Sequence, residues 1–228
     1  MQVLNAAIPL WLVIGNSTGI NMTPPTSIEQ IGVFGGTFDP IHNGHLAIAE
    51  SVRLQLGLDK VIFVVAADQW LRKHPPEASA TDRFNMVELA VGPVPYFSAS
   101  DVDLVRQGHT YTIDTLRDLR THLGDSVVFK LIIGADSANS FHQWKHAEEI
   151  QIFATVVVVG RPTMKIRTPM LGSGSNVNRE VEYLEGPMVD ISATKIRHFN
   201  RSGKQIKEFT TQTVVQYIKS KGLYRKEE

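Results

Sequence analysis

Residues 35–45, GGTFDPIHNGH, are the stretch around which the chain is organised. They follow a short apolar run at 31–34, typical of a buried strand, and lead into 46–56, where apolar residues recur with helical spacing. Small residues therefore lie where a strand turns into a helix, and His42 and His45 bracket a glycine at the first helical turn. Backbone N–H groups and the positive dipole end at such a turn bind phosphate. With two imidazoles beside it, the turn indicates a phosphate whose charge changes during a reaction.

Length and composition favour one large α/β domain, because 228 residues are enough to bury a full core; two small domains are the alternative. The formal net charge is zero, so no global attraction draws the chain to nucleic acid or to a membrane. The absence of cysteine excludes a disulfide framework, a thiolate nucleophile and thiolate zinc sites. No apolar run approaches the roughly 20 residues that span a bilayer. We therefore predict a cytoplasmic location.

The segment 1–28 differs from the rest because it carries no charged residue. Its apolar run at 6–14 is broken by Pro9 and has no Lys or Arg ahead of it, as a secretory signal would require. We interpret the segment as a poorly ordered extension, or as the result of a start codon assigned too early, with Met22 as the real start. A weak signal or a packing arm is the alternative.

Predicted strands and helices alternate along the rest of the chain. Strands are predicted at 30–34, 60–67, 96–100, 127–133, 155–159 and 181–184, and helices at 46–56, 81–91, 112–123, 192–200 and 211–221, with Asn43 as the first N-cap. This order predicts an α/β fold with a doubly wound, mainly parallel sheet and a small C-terminal helical part. Because ligands bind at the carboxyl ends of such strands, the loops that begin at Gly35, Asp68, Gly134 and Gly160 should converge on one edge.

The glycine stretch matches neither of two familiar phosphate loops. No Gly-Lys-Ser/Thr follows the glycines, and there is no Gly-x-Gly-x-x-Gly fingerprint. What remains is His42-x-Gly-His45, whose spacing puts both imidazoles on one side of the first turn, while Gly44 lets a phosphate approach the backbone. The alternatives are a capped turn with two surface histidines, or a zinc pair, for which no His-Glu-x-x-His pattern supplies further ligands.

A second motif, ISATKIR at 191–197, predicts another anion site at a helix start. Ser192 is a natural N-cap, Thr194 adds a hydroxyl in the first turn, and Arg197 offers a planar fork of donors that matches phosphate oxygens. Alone, this pattern is only a capped basic helix; beside the first motif it is interpreted as a second phosphate clamp. The basic residues that follow are interpreted as a solvated face: Arg201, Lys204 and Lys207.

Together, GGTFDPIHNGH and ISATKIR resemble the nucleotidyltransferase superfamily with His-x-Gly-His and Ile-Ser-x-Thr-x-x-Arg motifs. Four further segments resemble bacterial nicotinate-nucleotide adenylyltransferases: YTIDTL at 111–116, GADS at 134–137, FHQW at 141–144 and GLYR at 222–225. The resemblance covers roughly 31–225. It implies a Rossmann-like nucleotidyltransferase domain at 29–225 with a C-terminal helical part at 192–225, followed by a tail at 226–228.

The resemblance implies adenylyl transfer from ATP to nicotinate mononucleotide, giving deamido-NAD and pyrophosphate in NAD biosynthesis. Mg²⁺ would be held mainly by the ATP phosphates rather than by a protein metal site. The implied partners are ATP and a pyridine mononucleotide, with no nucleic acid or membrane; a homo-oligomer is left open. The acceptor could also be nicotinamide mononucleotide or another phosphorylated compound such as phosphopantetheine, and a catalytically silent nucleotide-binding regulator is the alternative from another class.

Residue roles are carried over from the family by position. The implied catalytic residues are His42, His45 and Arg197. The implied ATP-binding residues are Gly35, Gly36, Thr37, Phe38, His42, Gly44, His45, Gly134, Asp136, Ser192, Thr194 and Arg197, with Asp136 on the ribose hydroxyls and the 192–197 motif on the β and γ phosphates. The implied mononucleotide-binding residues are Thr37, Lys73, Thr112 and Trp144, with Trp144 stacked on the pyridine ring and Thr112 near its carboxylate.

One loop departs from the family pattern. The family usually has Pro-Pro-His-Lys after the second strand, whereas this chain has Arg-Lys-His-Pro-Pro at 72–76, which leaves the role of Lys73 open. Trp144 has a core position as its alternative, since large aromatic side chains are commonly buried. Asp101 and Asp103 alternate as on a strand, and a solvent-facing edge explains them better than acid–base chemistry.

Overall fold

A computed structural model describes residues 28–69, 74–106, 108–160 and 181–225. Within these ranges six strands form one sheet in the order β3-β2-β1-β4-β5-β6, and every neighbouring pair is parallel. The strands are β1 Glu29–Gly36, β2 Lys60–Val65, β3 Phe97–Ser100, β4 Val127–Gly134, β5 Ala154–Gly160 and β6 Val181–Glu185. The predicted Rossmann-like α/β fold is confirmed. The segment 1–27, Lys73 and the predicted tail 226–228 lie outside the described residues.

Helices cover both faces of this sheet. They are α1 Asn43–Leu56, α2 Ala80–Val91, α3 Val102–Arg106, α4 Thr112–Leu123, α5 Ala135–Asn139, α6 Ala147–Phe153, α7 Ala193–Arg201 and α8 Gln212–Lys221, with a 3₁₀ turn at Phe141–Gln143. The bounds of α4 coincide with the sequence prediction, and the late strand predicted at 181–184 is present as β6. None of the described helices is long and apolar enough to cross a membrane.

Period-two alternation along the strands divides the core into two clusters. Phe34 and Ile132 belong to the cluster on one face, which includes side chains of α1, α2 and α8. Val33 and Leu131 belong to the cluster on the other face, with side chains of α4 and α6. Because both faces are covered, the central strands are nearly continuous apolar runs, which is why they could be located from the sequence.

Two local predictions are corrected by the structure. The N-cap of α1 is His42, not Asn43, whose backbone N–H donates to the Phe209 carbonyl at 2.8 Å. Asp103 is not on a solvent-facing strand edge, since it lies in α3 and is buried. Its Oδ1 accepts hydrogen bonds from Arg106 at 2.5 Å and from the Thr115 hydroxyl at 2.7 Å. These partners compensate a buried carboxylate, a pattern that strand periodicity does not reveal.

The winding of the sheet determines where a ligand can bind. From β1 the chain continues to β2 and β3 on one side, and later to β4, β5 and β6 on the other. The direction of winding therefore changes between β1 and β4, and a crevice opens there at the carboxyl ends of the strands. β1 ends at Gly36 and β4 at Gly134, so the glycine stretch and the predicted Gly134 site lie at the same edge.

Candidate active site

The two histidines form one unit at the start of α1. The backbone N–H of His42 donates to Nδ1 of His45 at 3.2 Å, so the neutral His45 ring carries its proton on Nε2. The two rings are stacked, with centroids 3.6 Å apart and planes at 18°. The predicted pairing of the imidazoles on the first turn is therefore present, and the hydrogen bond fixes which nitrogen of His45 can donate to a ligand.

The environment of this pair keeps both rings neutral at physiological pH. Burial lowers the pKa of His42 to about 4. Burial, followed by the proximity of His42, holds the pKa of His45 well below its usual value. Within the described part of the chain, the buried Nδ1 of His42 has no hydrogen-bond partner. Without a ligand, such a pair offers N–H donors from neutral rings. The negative charge of a nearby phosphate would favour protonation of the imidazoles.

The histidine pair is held in position by packing that involves Gly36, Phe38 and Gly44. A Cβ at Gly44 would lie 3.0 Å from Nδ1 of His42, so a side chain there would push against that ring. A Cβ at Gly36 would lie 2.7 Å from Cζ of Phe38, which is buried and adopts a positive φ of 50°. The Phe38 ring in turn contacts His45 edge-on at 5.0 Å. These contacts give Phe38 and both glycines a positioning role in addition to any contact with ATP.

Asp39 links the first motif to the rest of the site, although the sequence reasoning gave it no role. This buried carboxylate accepts hydrogen bonds from the Glu77 N–H at 2.9 Å, from the Ala78 N–H at 3.1 Å and from the Tyr224 hydroxyl at 2.8 Å. Burial and the nearby Asp39 charge raise the pKa of Tyr224, so its hydroxyl stays a donor. The backbone carbonyl of Asp39 accepts a hydrogen bond from Nη1 of Arg197 at 2.7 Å.

The two predicted phosphate motifs meet through Arg197. Ser192 is the N-cap of α7, as predicted, and its Oγ accepts from the Lys195 N–H at 3.2 Å. Thr194 lies exposed in the first turn. The guanidinium of Arg197 contacts Asp39, as described, and its Nε donates to Glu77 Oε1 at 2.7 Å. The second clamp therefore reaches the first, but its arginine is already engaged by a carboxylate that no sequence motif indicated.

A cavity of about 300 Å³ opens beside the glycine stretch, at the carboxyl ends of β1 and β4. Five of the predicted site residues line it: Gly35, Gly36, Gly134, Thr112 and Trp144. Trp144 is half-buried and its ring lies 5.1 Å from that of Phe141, so it both packs on the core and presents a surface to the cavity. His42 and His45 do not line the cavity. The cavity and the histidine pair are therefore separate regions, and the glycine stretch that lines the cavity leads directly to the pair.

Several lining residues were not predicted. Lys145 lines the wall with its Nζ 4.0 Å from the ring centroid of Tyr111 and 3.7 Å from Asp114. Gln69 also lines the wall and accepts a hydrogen bond from the Thr37 hydroxyl at 2.7 Å. Lys145 directly follows Trp144, which is the one sequence signal that could have indicated it.

The remaining predicted residues lie around this edge or outside the described ranges. Asp136 is exposed in the first turn of α5, whose N-cap is Gly134. Lys73 falls between the described segments, so its placement is not part of the site geometry. No group of three or more His, Asp or Glu residues in the described segments could hold a metal ion. A divalent metal would fit here as a phosphate-borne ion, since Mg²⁺ is commonly bound through substrate phosphates and few protein ligands.

Comparison with known proteins decides the family. The sequence model of the cytidylyltransferase-like family matches residues 33–199. A probable nicotinate-nucleotide adenylyltransferase of Acidothermus cellulolyticus is 42% identical over 202 residues, which are 86% of this chain and 95% of that protein. This chain belongs to the nicotinate-nucleotide adenylyltransferase family. A second member, from Roseiflexus sp. (strain RS-1), is 40% identical over 204 residues, 87% of this chain and 100% of that protein.

A solved structure supports the fold of this family member. It is a Plasmodium falciparum nicotinic acid mononucleotide adenylyltransferase complexed with NaAD, and it superimposes with a TM-score of 0.66 at 18% identity. The match covers 86% of this chain and 97% of that chain. At this level of identity the match establishes the shared architecture.

Proposed function

We propose that this adenylyltransferase-family member transfers the adenylyl group of ATP to nicotinate mononucleotide, forming deamido-NAD and pyrophosphate in NAD biosynthesis. The observation that carries the proposal is the contact of Arg197 with the backbone of Asp39 at 2.7 Å, which brings the two phosphate motifs together beside the cavity. Family membership supports the choice of substrates. The triphosphate is assigned to the two motifs, and the mononucleotide to the cavity wall formed by Thr112 and Trp144.

The chemistry is an in-line displacement at the α-phosphorus of ATP. An oxygen of the mononucleotide phosphate forms the new P–O bond while the bond between the α-phosphorus and the β-phosphate bridge breaks, and pyrophosphate leaves. The attacking oxygen is already ionised near neutral pH, so neither a general base nor a covalent nucleophile is required. Catalysis then depends on alignment and charge stabilisation. His45 Nε2–H is assigned to the α-phosphoryl oxygens and Arg197 to the β and γ phosphates.

A divalent metal ion generally accompanies nucleotide substrates in phosphoryl transfer, and here it would neutralise negative charge on the phosphates. We assign this role to Mg²⁺ carried by the ATP phosphates. The chain itself binds, orients and donates hydrogen bonds. The predictions that 29–225 acts as one catalytic domain, that the protein is cytoplasmic and that it binds no nucleic acid stay predictions, and a homo-oligomer stays open.

Pyrophosphate release measured with ATP and each candidate acceptor tests the proposal. We expect turnover with nicotinate mononucleotide well above that with nicotinamide mononucleotide or phosphopantetheine. Preference for another acceptor would reassign the substrate while keeping the reaction. Binding of ATP without turnover on any of the three would favour the silent regulator.

A further inference from the structure

The arginines of the second motif are bridged by a carboxylate of the chain itself. Arg197 and Arg201 lie four residues apart on α7, so their side chains project from one face of the helix. Glu77 Oε1 accepts a hydrogen bond from Nε of Arg197 at 2.7 Å, and Glu77 Oε2 accepts one from Nη2 of Arg201. Carboxylates and phosphates present the same kind of acceptor pair to guanidinium groups. Glu77 therefore occupies a position that suits a phosphate.

The net charge around Arg197 and Arg201 changes when the Glu77 carboxylate moves away from them. The two guanidinium charges of Arg197 and Arg201 face two carboxylates, since Asp39 Oδ2 also lies 3.7 Å from Arg197. Such a balanced cluster has little net attraction for a triphosphate. Removing the Glu77 carboxylate would leave one net positive charge beside the α1 N-terminus. Burial raises the pKa of Glu77, but hydrogen bonds from Arg201 and Arg197 outweigh it and lower the pKa, so the group is ionised near neutral pH.

The Glu77 side chain can move away from the arginines while its backbone stays in place. Its backbone N–H and that of Ala78 are both held by the buried carboxylate of Asp39. Its side chain is 37% exposed, so a rotamer change would move the carboxylate into water, where it is hydrated again. Rotamer changes of exposed side chains are fast, on a timescale of picoseconds to nanoseconds. The backbone anchor and the releasable side chain are thus separate parts of the same residue.

We propose that the Glu77 carboxylate is an internal competitor of the ATP triphosphate, which displaces it from Arg197 and Arg201 on binding. The inference rests on the proposed function and deepens it. Glu77 is a positioning residue that holds both arginines until the substrate arrives. Arg201, interpreted from the sequence as part of a solvated face, becomes a phosphate ligand. The apparent affinity for triphosphate is then reduced by the fraction of molecules in which Glu77 is bound.

Replacing Glu77 by its neutral isostere tests the competition. Glu77→Gln removes the charge but keeps the shape, and Glu88→Gln, on an exposed position of α2, is a control with the same change in net charge. We would measure the Kd of inorganic tripolyphosphate by calorimetry, the KM of each substrate and the Tm of each variant. Glu77→Gln should tighten tripolyphosphate binding and lower the KM for ATP by about 3- to 10-fold, with the mononucleotide KM unchanged. Glu88→Gln should match the wild type.

The alternative is that Glu77 only braces α7. In that case Glu77→Gln would lower Tm and leave tripolyphosphate binding unchanged or weaker, which would overturn the proposal. If Glu77→Gln does not fold, Glu77→Asp serves instead, because its shorter carboxylate cannot span both arginines; it should tighten binding, and unchanged binding would overturn the proposal. A wild-type protein that binds neither tripolyphosphate nor ATP would overturn the proposed function as well. Normal wild-type binding and turnover without a gain in Glu77→Gln would overturn the competition alone.

Discussion

The two halves of the site differ in how far they are ready for their ligands. On the side assigned to the mononucleotide, Thr112 and Trp144 line an open cavity at the ends of β1 and β4. On the side assigned to the triphosphate, the Arg197 side chain is 13% exposed, and its Nε and Nη1 groups donate to Glu77 and Asp39. A ligand can therefore enter the cavity directly, whereas a phosphate that binds Arg197 must first displace one of its present hydrogen-bond partners. The difference suggests that changes on the triphosphate side affect both chemistry and stability, while changes at the cavity affect mainly the choice and affinity of the acceptor.

The largest effect is expected from His45→Ala, which removes a donor assigned to the α-phosphoryl group. Turnover should fall by ~10²-fold or more, the scale for losing one positioned electrostatic group. Steady-state pyrophosphate release, with circular dichroism to confirm folding, measures it. His122→Ala, on an exposed position of α4, is the matched control and should retain activity. A folded His45→Ala protein with wild-type turnover would remove the chemistry from the triphosphate side.

The pH dependence of stability examines the same region without substrate. The pKa of His42 is about 4 in the folded protein and 6.5 when unperturbed, so between these values the unfolded chain binds more protons. Stability from this group is complete above pH 6.5 and is lost as pH falls toward 4. From pH 7.5 to pH 5 it should lower the free energy of unfolding by about 2 kcal/mol.

Urea denaturation at the two pH values measures this loss. His42→Asn lacks the titrating ring, so its loss between the same pH values should be smaller by that amount. Identical losses in the two proteins would mean that the His42 ring is less buried than the geometry indicates.

At the cavity, Trp144→Ala should weaken the mononucleotide more than ATP. Loss of a stacking platform is worth about 1–3 kcal/mol, so the mononucleotide KM should rise by about 10-fold, with a smaller change for ATP. Trp144→Phe keeps an aromatic face and should recover most of the affinity. Equal losses for both substrates in Trp144→Ala would reassign this residue to the core that it also contacts through Phe141.

The smallest effect is expected from Lys145, whose exposed ammonium group lies on the cavity wall. A cation there favours a carboxylate-bearing ring over an amide, although Asp114 at 3.7 Å offsets part of its charge. Lys145→Gln should therefore reduce the preference for nicotinate over nicotinamide mononucleotide by about 3-fold, and Lys145→Arg should preserve it. Relative kcat/KM values for the two acceptors measure this preference. If both variants leave the ratio at the wild-type value, backbone groups determine the selectivity.

Local sequence signals located most of the fold. The helix α4 was predicted at about 112–123, where it lies, because Gly124 ends the apolar pattern. The short helix α3 was missed, since its five residues are too few for helical periodicity to show. The histidine pair and the Ser192 cap were predictable because three residues of spacing determine each of them.

Contacts between distant parts of the chain could not be predicted in this way. Glu77 is separated from Arg197 by 120 residues, and no pattern in the sequence relates them. The burial of Asp39 likewise depends on packing among three segments that only the folded structure brings together. These contacts are also the ones that change the interpretation of the second motif from an available clamp to an occupied one.

The hydrogen bond from Tyr224 to Asp39 has a consequence for how the site is completed. The donor lies 185 residues after its acceptor, so during synthesis on the ribosome this one hydrogen bond to the buried carboxylate forms long after residue 39 has been made. A nascent chain can form the β1–α1 turn early, and the N–H groups of residues 77 and 78 can then bind the Asp39 carboxylate, but its third donor is absent until residue 224 is made. The full set of hydrogen bonds to Asp39 therefore requires synthesis through residue 224, and a fragment that stops before Tyr224 would lack this donor.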